Sequence, residues 1–368
     1  MKLYSIFLYS LVLLGCGPLY YGISINRPDL NTTPEQKLGK IIEPWEDSSR
    51  IEGKTGEFEW WYIDAEGEDG TIVVVYFYRV HVLGGKHFIG MSITPPGEES
   101  FFDIQYFKNE DATFSNEKCD VRLGENWFYG DLNDYSIKVD PFGERKIGVD
   151  IAIKSKAPPY RPEDGIIRMG EDYFAWLSAV PNGEVFGTVY LNGDSIPFRG
   201  EGYHDHNWAN APFQTMMNSW YWARAKVGPY TVIGAQLNLR KDRGGYTIPI
   251  LMVTTEDSII VDQYGPDNVL SKFSDPKVLE SKFNESPSKN FTLSSHDKMI
   301  SVTFRGEKII DKTNLFDRLK TPLPMKFLFD LSGIDPTYTR FYGTTDLMVS
   351  QFGDTLTGNG ILEFMDLR

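Results

Sequence analysis

The sequence predicts an all-β protein built mainly from antiparallel hairpins. Short segments rich in β-branched and aromatic residues recur along the chain, and clusters of glycine, proline, asparagine and aspartate separate them. Only one stretch, Lys308–Leu319, fits a short helix. With 368 residues, of which 41% are hydrophobic and 14% aromatic, the chain can form two ordinary domains or one large β domain.

The charge balance is acidic. There are 51 Asp and Glu residues against 37 Lys and Arg, which gives a net charge of −14. No basic run with interleaved aromatic residues is present, so nucleic acid is not an expected partner. The two cysteines, Cys16 and Cys119, form neither a disulfide framework nor a Cys-x-x-Cys metal site.

The N-terminus has the pattern of a signal peptide over residues 1–15. Lys2 precedes an apolar run from Leu3 to Leu14, which is too short to span a bilayer. The run ends in Leu13-Leu14-Gly15-Cys16, which resembles a bacterial lipobox, so we expect Cys16 to be lipidated and the protein to be anchored in the cell envelope. An ordinary cleaved signal, which would make the protein secreted, remains the alternative. Residues 16–52 are polar and are predicted to form a tether.

From Gly53 onward, strands and turns alternate. Glu57–Ala65 and Thr71–Val80 are predicted to form a hairpin. Phe174–Val180 and Val185–Leu191 are predicted to form two strands joined by a turn at residues 181–184. In the second half, strands are expected at segments that include Trp220–Val227, Tyr230–Arg240, Ile248–Thr255 and Gly360–Leu367.

A weak internal repeat connects the two halves. Glu59-Trp60-Trp61-Tyr62 near the start of the first half is matched by Ser219-Trp220-Tyr221-Trp222 near the start of the second. Gly200-x-Gly202-x-x-Asp205 ends the first half as Gly358-x-Gly360-x-x-Glu363 ends the second. The pattern indicates two β domains, at 53–210 and 211–368, although chance recurrence of aromatic strands remains open. Gly200 and Gly202 are expected at a bulge or at a close approach of two backbones.

The central stretch Gly200–Trp222 concentrates the reactive side chains. On an extended strand His204 and His206 face the same side, a spacing that can supply two imidazoles to one metal ion. No third ligand lies nearby in the sequence, so no metal is expected. A role of the two histidines in a hydrogen-bond network is favoured.

Asp205 faces the other side of this strand, together with Tyr203 and Asn207. An apolar environment that contains tryptophan would disfavour the charged form of Asp205 and allow it to act as a general acid near neutral pH. A structural carboxylate that accepts hydrogen bonds from backbone amides is the alternative. The tryptophan and tyrosine clusters fit either a packed core or the walls of a cavity for an apolar ligand.

Three motifs together resemble a known family. They are Glu59–Tyr62, Gly202–Trp208 and the Gly-x-Gly ending with Glu363. They resemble the AttH-like and carotenoid 1,2-hydratase (hydroxyneurosporene synthase) family, to which the fungal decalin-forming Diels–Alderases and kievitone hydratase are related. The resemblance spans residues 53–368. It implies two lipocalin-like antiparallel β-barrel or sandwich domains packed side by side, with an apolar ligand near their junction.

The resemblance also implies chemistry without a cofactor on an isoprenoid- or polyketide-like molecule, as a hydratase or as an isomerase or cyclase. Asp205 and His204 are the expected catalytic residues. The expected ligand-binding residues are Glu59, Trp60, Trp61, Tyr62, Tyr203, His206, Asn207, Trp208, Trp220, Trp222 and Tyr230. A non-catalytic lipocalin-like carrier of lipids or other hydrophobic ligands is the main alternative, and a polysaccharide-binding protein is a weaker one. The oligomeric state stays open.

Overall fold

The structure is a computed structural model that describes residues 41–81, 87–275, 286–318, 334–350 and 355–368, together with Leu323 and Lys326. The predicted signal peptide and Cys16 lie outside the described residues. The chain divides into two compact units, with the boundary between Ala211 and Pro212. Among the described residues, no helix is long and apolar enough to cross a bilayer.

The first unit is built on one sheet of 12 antiparallel strands. Its strands are β1 (Phe58–Gly67), β2 (Ile72–Val80), β3 (His87–Thr94), β4 (Phe101–Phe107), β5 (Ala112–Phe114), β6 (Asp120–Leu123), β7 (Asn126–Gly130), β8 (Asp134–Phe142), β9 (Ile147–Ser155), β10 (Ile166–Met169), β11 (Asp172–Leu191) and β12 (Asp194–Ala209). Short 3₁₀ helices form at Pro44–Asp47 and Asn109–Asp111.

The second unit is built on a sheet of 9 antiparallel strands. Its strands are β13 (Met217–Val227), β14 (Tyr230–Leu239), β15 (Thr247–Thr254), β16 (Ile259–Tyr264), β17 (Val269–Phe273), β18 (Asn290–Ser295), β19 (Ile300–Asn314), β20 (Thr337–Val349) and β21 (Thr355–Asp366). A short helix, α1 (Leu315–Arg318), follows β19, and 3₁₀ helices form at Phe213–Thr215 and Lys241–Arg243. The predicted all-β class with lipocalin-like antiparallel units is confirmed.

Both sheets have the same strand order around their first strand. In the first unit β1 lies between β2 and β12, and in the second β13 lies between β14 and β21. Tyr62 is paired with Asp205 across β1 and β12, and Trp222 is paired with Glu363 across β13 and β21. The repeated sequence motifs therefore occupy equivalent positions in the two sheets, which supports their origin by duplication.

The repeated glycines lie where two backbones come close together. A Cβ atom on Gly200 would overlap the carbonyl oxygen of Glu66, and one on Gly358 would overlap the carbonyl oxygen of Lys226. Glu66 and Lys226 lie at equivalent positions of β1 and β13. The close approach of backbones expected at Gly200 is therefore confirmed, and Gly358 shows the same close approach.

Two local predictions are corrected by strand pairing. Residues 181–184 do not form a turn, because β11 runs through them with register shifts between Leu177 and Val180 and between Val180 and Gly183. A bulge accommodates the proline, which has no N–H for the ladder, without ending the strand. Most of the predicted helix at Lys308–Leu319 belongs to β19, which pairs with β20 as far as Asn314. Of the residues in this range that the structure describes, only Leu315–Arg318 are helical, and Leu319 lies outside the described residues.

The segment predicted to be the end of the tether is, from Pro44 onward, part of the folded first unit. Glu46, Asp47 and Ser48 are buried. The Arg161 guanidinium forms an ion pair with the Glu46 carboxylate, with 2.7 Å between Nε and Oε2. The Trp61 indole N–H donates to the carbonyl oxygen of Asp47 at 3.1 Å. These contacts hold the segment against β1 and bring Asp47 into the interior.

Candidate functional site

The central motif lies on β12, between β1 and β11, and all its residues from Tyr203 to Trp208 are buried. The ring of His204 packs against Phe128 and Tyr135 in the core of the first unit. Tyr203 and Asp205 lie on the other side of the strand. The predicted alternation is therefore observed, and β12 carries two separate polar clusters.

The first cluster surrounds the Asp205 carboxyl group, and we call it the carboxyl cluster. The Trp176 indole N–H donates to Oδ2 of Asp205 at 3.0 Å, and the Tyr203 hydroxyl donates to the same atom at 2.9 Å. The Asn207 amide donates to Oδ1 at 2.7 Å. Asp205 is only 8% exposed. Both of its oxygens are thus held by neutral donors in an almost dry environment.

Burial raises the pKa of Asp205 from its ordinary value of 3.8 to about 7. The hydrogen bonds from Tyr203, Trp176 and Asn207 and the nearby His204 favour the charged form, but they do not cancel the cost of removing a carboxylate from water. A carboxyl group with a pKa near 7 exchanges its proton readily at neutral pH. This property suits a general acid.

Aromatic rings extend the carboxyl cluster across the neighbouring strands. The Tyr62 ring lies 5.0 Å from that of Tyr76 and meets the ring of Tyr203 edge to face at 6.2 Å. On the same strand as Tyr62, the Trp60 ring lies 5.3 Å from that of Tyr78. Such rings can stabilise a developing cation through their π faces.

The second cluster, on the core side of β12, is called here the imidazole cluster. His204 Nδ1 lies 2.8 Å from the carbonyl oxygen of Tyr62, which can only accept, so this nitrogen carries a hydrogen. His204 Nε2 lies 3.1 Å from Oδ2 of Asp47. The Tyr135 hydroxyl donates to the same carboxylate oxygen at 2.6 Å. Asp47 thus joins β8 and β12.

His206 lies between two buried carboxylates. Its Nε2 is 3.1 Å from Oε1 of Glu59, and its Nδ1 is 3.4 Å from Oδ1 of Asp47. Burial lowers the pKa of His206, but the hydrogen bonds and charges of Asp47 and Glu59 outweigh this effect and raise the pKa overall. The ring stacks on Trp61 with 4.4 Å between centroids, which suits an imidazolium ion.

Asp47 is held as a carboxylate. Burial alone would raise its pKa, but the charges and hydrogen bonds of His204 and His206 hold the pKa well below its usual range. Among the described residues, Asp47, Cys119 and His204 are the group whose ligand atoms could together hold a metal ion, since these atoms lie within 4.8 Å of one another. The Cys119 thiol contacts the carbonyl oxygen of Phe128 at 3.7 Å.

Within the first unit, the residues predicted to form one site are divided between the two clusters. Tyr203, Asp205 and Asn207 are in the carboxyl cluster, and Trp60 and Tyr62 belong to the rings that extend it. Glu59, Trp61, His204, His206 and Trp208 lie in or beside the imidazole cluster. Trp220, Trp222 and Tyr230 lie on β13 and β14 of the second unit.

His204 is not placed as a hydrogen-bond partner of Asp205. Among the described contacts its nitrogens meet the Tyr62 carbonyl and Asp47, and its ring points away from Asp205. It acts on Asp205 through its charge. Consecutive residues of a strand point to opposite sides, so a direct contact between these two side chains would require an irregular strand.

Sequence reasoning missed four contributors to the two clusters, Asp47, Cys119, Tyr135 and Trp176. Asp47 was assigned to the tether, and Tyr135 lies on β8, which is distant from β12 in sequence. Trp176 lies on β11, the strand that directly precedes β12. The contact between Asp47 and Tyr135 joins residues 88 positions apart. The local pattern that could have pointed to Asp47 is the capping box of Glu43 and Glu46, which marks the start of the 3₁₀ helix that contains Asp47.

The raised pKa of Asp205 predicts a pH dependence of stability. The folded state keeps the Asp205 proton up to about pH 7, whereas the unfolded chain loses it near the ordinary value of 3.8. The free energy of unfolding should therefore fall as pH rises between these two values, by up to about 1.4 kcal/mol per pH unit. Above pH 7 both states are ionised and this contribution stops changing.

The measurement is urea unfolding of the wild type and the Asp205→Asn variant across this pH range. Subtracting the two free energies removes the contributions of His206 and Asp47, which titrate in both proteins. A difference that does not change with pH would contradict the raised pKa.

Comparison with known proteins shows similar chains. Residues 143–285 match the family model described as Diels-Alderase-like. The chain is 26% identical over 216 residues to a hydroxyneurosporene dehydrogenase of Chlorobaculum tepidum, covering 46% of this chain and 53% of that protein. It is 25% identical over 232 residues to the quinolone epoxide rearrangement protein asqO of Emericella nidulans, covering 58% and 62% respectively. The chain therefore spans only part of the length of these relatives.

Solved structures show the same fold. A protein from Nitrosomonas europaea described as AttH has a TM-score of 0.64 at 13% identity, covering 92% of this chain and 99% of that one. Kievitone hydratase from Nectria haematococca has a TM-score of 0.59 at 11% identity, covering 89% and 93%. The resemblance predicted from the motifs is confirmed.

Proposed function

We propose that the protein is a cofactor-independent hydratase, isomerase or cyclase that acts on an apolar isoprenoid- or polyketide-like molecule. The observation that carries this proposal is the buried Asp205 carboxyl group, whose pKa is about 7 and which lies among aromatic side chains. The similarity to proteins named as Diels-Alderase-like, as an epoxide rearrangement protein and as kievitone hydratase supports the same class of chemistry.

In the proposed reaction Asp205 donates its proton to a carbon of the bound molecule. The resulting carboxylate keeps its three hydrogen bonds from Trp176, Tyr203 and Asn207, which stabilise the negative charge as it forms. Because these donors are already in place, little reorganisation is needed during proton transfer. The rings of Tyr62 and Tyr203 are suited to stabilise the positive charge on the substrate. His204 has a positioning role through the imidazole cluster.

The experiment is incubation of the full-length protein, purified in detergent, with an apolar extract of its host cells, followed by mass spectrometry. Asp205→Asn is compared in parallel. Asp140→Asn is the matched control, because Asp140 is exposed and pairs only with Lys138 among its described ion pairs. We expect a compound that gains one water, or that changes its retention at constant mass, with the wild type and the control only.

A hydrophobic-ligand carrier is the alternative, and the same experiment separates it. A compound retained unchanged by both the wild type and Asp205→Asn would make the protein a carrier. In that case the three hydrogen bonds to Asp205 would have a structural role only, and its proposed role as an acid would be rejected.

We also propose that the protein is anchored in the cell envelope through a lipid on Cys16. The support is the apolar run that ends in Leu13-Leu14-Gly15-Cys16. Two acyl chains on this residue would give stable membrane attachment. Mass spectrometry of the N-terminal peptide from membranes is the test, and recovery of unmodified Cys16 would contradict the proposal.

A further inference from the structure

The carboxyl cluster has a counterpart on the neighbouring strand. Tyr62 donates its hydroxyl hydrogen to Oδ2 of Asp64 at 2.9 Å, just as Tyr203 donates to Oδ2 of Asp205 at 2.9 Å. Both pairs have the pattern Tyr-x-Asp, and both carboxyl groups are buried. Two buried carboxyl groups, each accepting a hydrogen bond from the tyrosine two residues before it, thus lie on adjacent strands.

The strand register places the two pairs against each other. β1 and β12 are antiparallel, so Tyr62 lies opposite Asp205 and Asp64 lies opposite Tyr203. Residues directly opposite in an antiparallel pair project to the same side of the sheet. The rings of Tyr62 and Tyr203 meet at 6.2 Å between the two carboxyl positions. Asp64 and Asp205 therefore occupy diagonal positions on one face, separated by aromatic rings.

Asp205 is suited to donate a proton to a carbon of the substrate, but it is poorly placed to contact the attacking water. Three donors, from Trp176, Tyr203 and Asn207, already occupy both oxygens of its carboxylate. Addition of water to a protonated alkene also requires a group that accepts a proton from the attacking water. A second carboxyl group on the same face can meet that need.

We propose that Asp64 is the second catalytic carboxyl group, which accepts the proton of the attacking water, and that the reaction is therefore hydration of an alkene. This inference rests on the proposed function. In the first step the Asp205 O–H bond breaks and a C–H bond forms, which leaves a cation on the neighbouring carbon. In the second step a water oxygen bonds to that cation and its proton passes to Asp64.

The reaction is balanced because one molecule of water is added in total. Asp205 ends as a carboxylate and Asp64 as a carboxylic acid, and exchange of protons with solvent restores both groups for the next turnover. No oxidant or reductant is needed.

The test is incubation of the full-length protein with the host apolar extract in deuterated water enriched in oxygen-18. Deuterium at carbon reports proton donation by Asp205, and oxygen-18 reports addition of water. For Asp64→Asn we expect oxygen-18 incorporation to fall about 10²-fold or more while deuterium exchange into the extracted compound continues. Asp205→Asn should lose both labels, and Asp140→Asn should lose neither.

The outcomes separate the two proposals. If the wild type incorporates both labels and Asp64→Asn does the same at an equal rate, Asp64 has no catalytic role but Asp205 retains its own. If the wild type changes the retention of a compound but incorporates neither label, hydration and the role of Asp64 are refuted while an isomerase or cyclase remains. If the wild type incorporates neither label and leaves the extract unchanged, the proposed function itself fails. Circular dichroism must first show that each variant folds like the wild type. Asp64→Glu, which keeps the carboxyl group, should recover part of the oxygen-18 incorporation.

Discussion

Turnover of the apolar substrate is expected to fall about 10²- to 10⁴-fold when Asp205 is replaced by asparagine. The amide has nearly the same shape as the carboxyl group but has no acidic proton to donate. It also cannot accept hydrogen bonds on both sides, as the carboxylate does from Tyr203 and Asn207. The loss should appear in kcat, because proton transfer occurs in the transition state and not in substrate binding.

Initial rates of the wild type, Asp205→Asn and Asp140→Asn on the compound identified from the host extract provide the measurement. Asp140 is exposed, so its variant should keep the wild-type rate. Equal rates for all three proteins would exclude Asp205 as the acid. A lower rate accompanied by loss of folded structure would indicate a structural role.

Stability is expected to fall by about 3–5 kcal/mol when Asp47 is replaced by asparagine. The carboxylate is buried beside His204, His206 and the Tyr135 hydroxyl. Asparagine keeps the shape but removes the negative charge that lies beside His206 and raises its pKa. A buried charge that loses its partner is costly because it cannot be solvated by water.

Urea unfolding of the two proteins at neutral pH, followed by circular dichroism, measures this loss. Asp140→Asn again serves as the control and should change the free energy of unfolding by less than about 0.5 kcal/mol. Unchanged stability of Asp47→Asn would mean that the imidazole cluster does not hold the N-terminal segment in place. Loss of stability with normal kcat at permissive temperature would indicate a structural role, whereas a lower kcat in the folded variant is the result expected for a positioning role.

The fold class was predictable because strands have a period of two. The alternation around His204 and Asp205 and the repeated motifs at Tyr62 and Trp222 follow from local pattern, and both are found in the sheets. The helix expected at Lys308–Leu319 was wrong over most of its length because pairing of β19 with β20 overrides local preference.

The site was predictable only in part. The reactive residues of β12 could be found from their concentration in one segment, but several of their partners lie outside it, on β1, β8 and β11. Trp176 and Tyr135 donate to Asp205 and Asp47 only because the sheet brings β11 and β8 into place. Asp47 lies in a polar segment whose burial depends on contacts with Arg161 and Trp61, which no local pattern indicates.

The most direct test of the account is the protonation state of Asp205 itself. Infrared difference spectra of the wild type minus Asp205→Asn, recorded as a function of pH, isolate the vibration of this one carboxyl group. We predict the C=O band of a protonated carboxyl group below neutral pH, disappearing with a midpoint of about 7. A carboxylate band that persists down to the ordinary pKa of an aspartate would contradict the role of Asp205 as the acid.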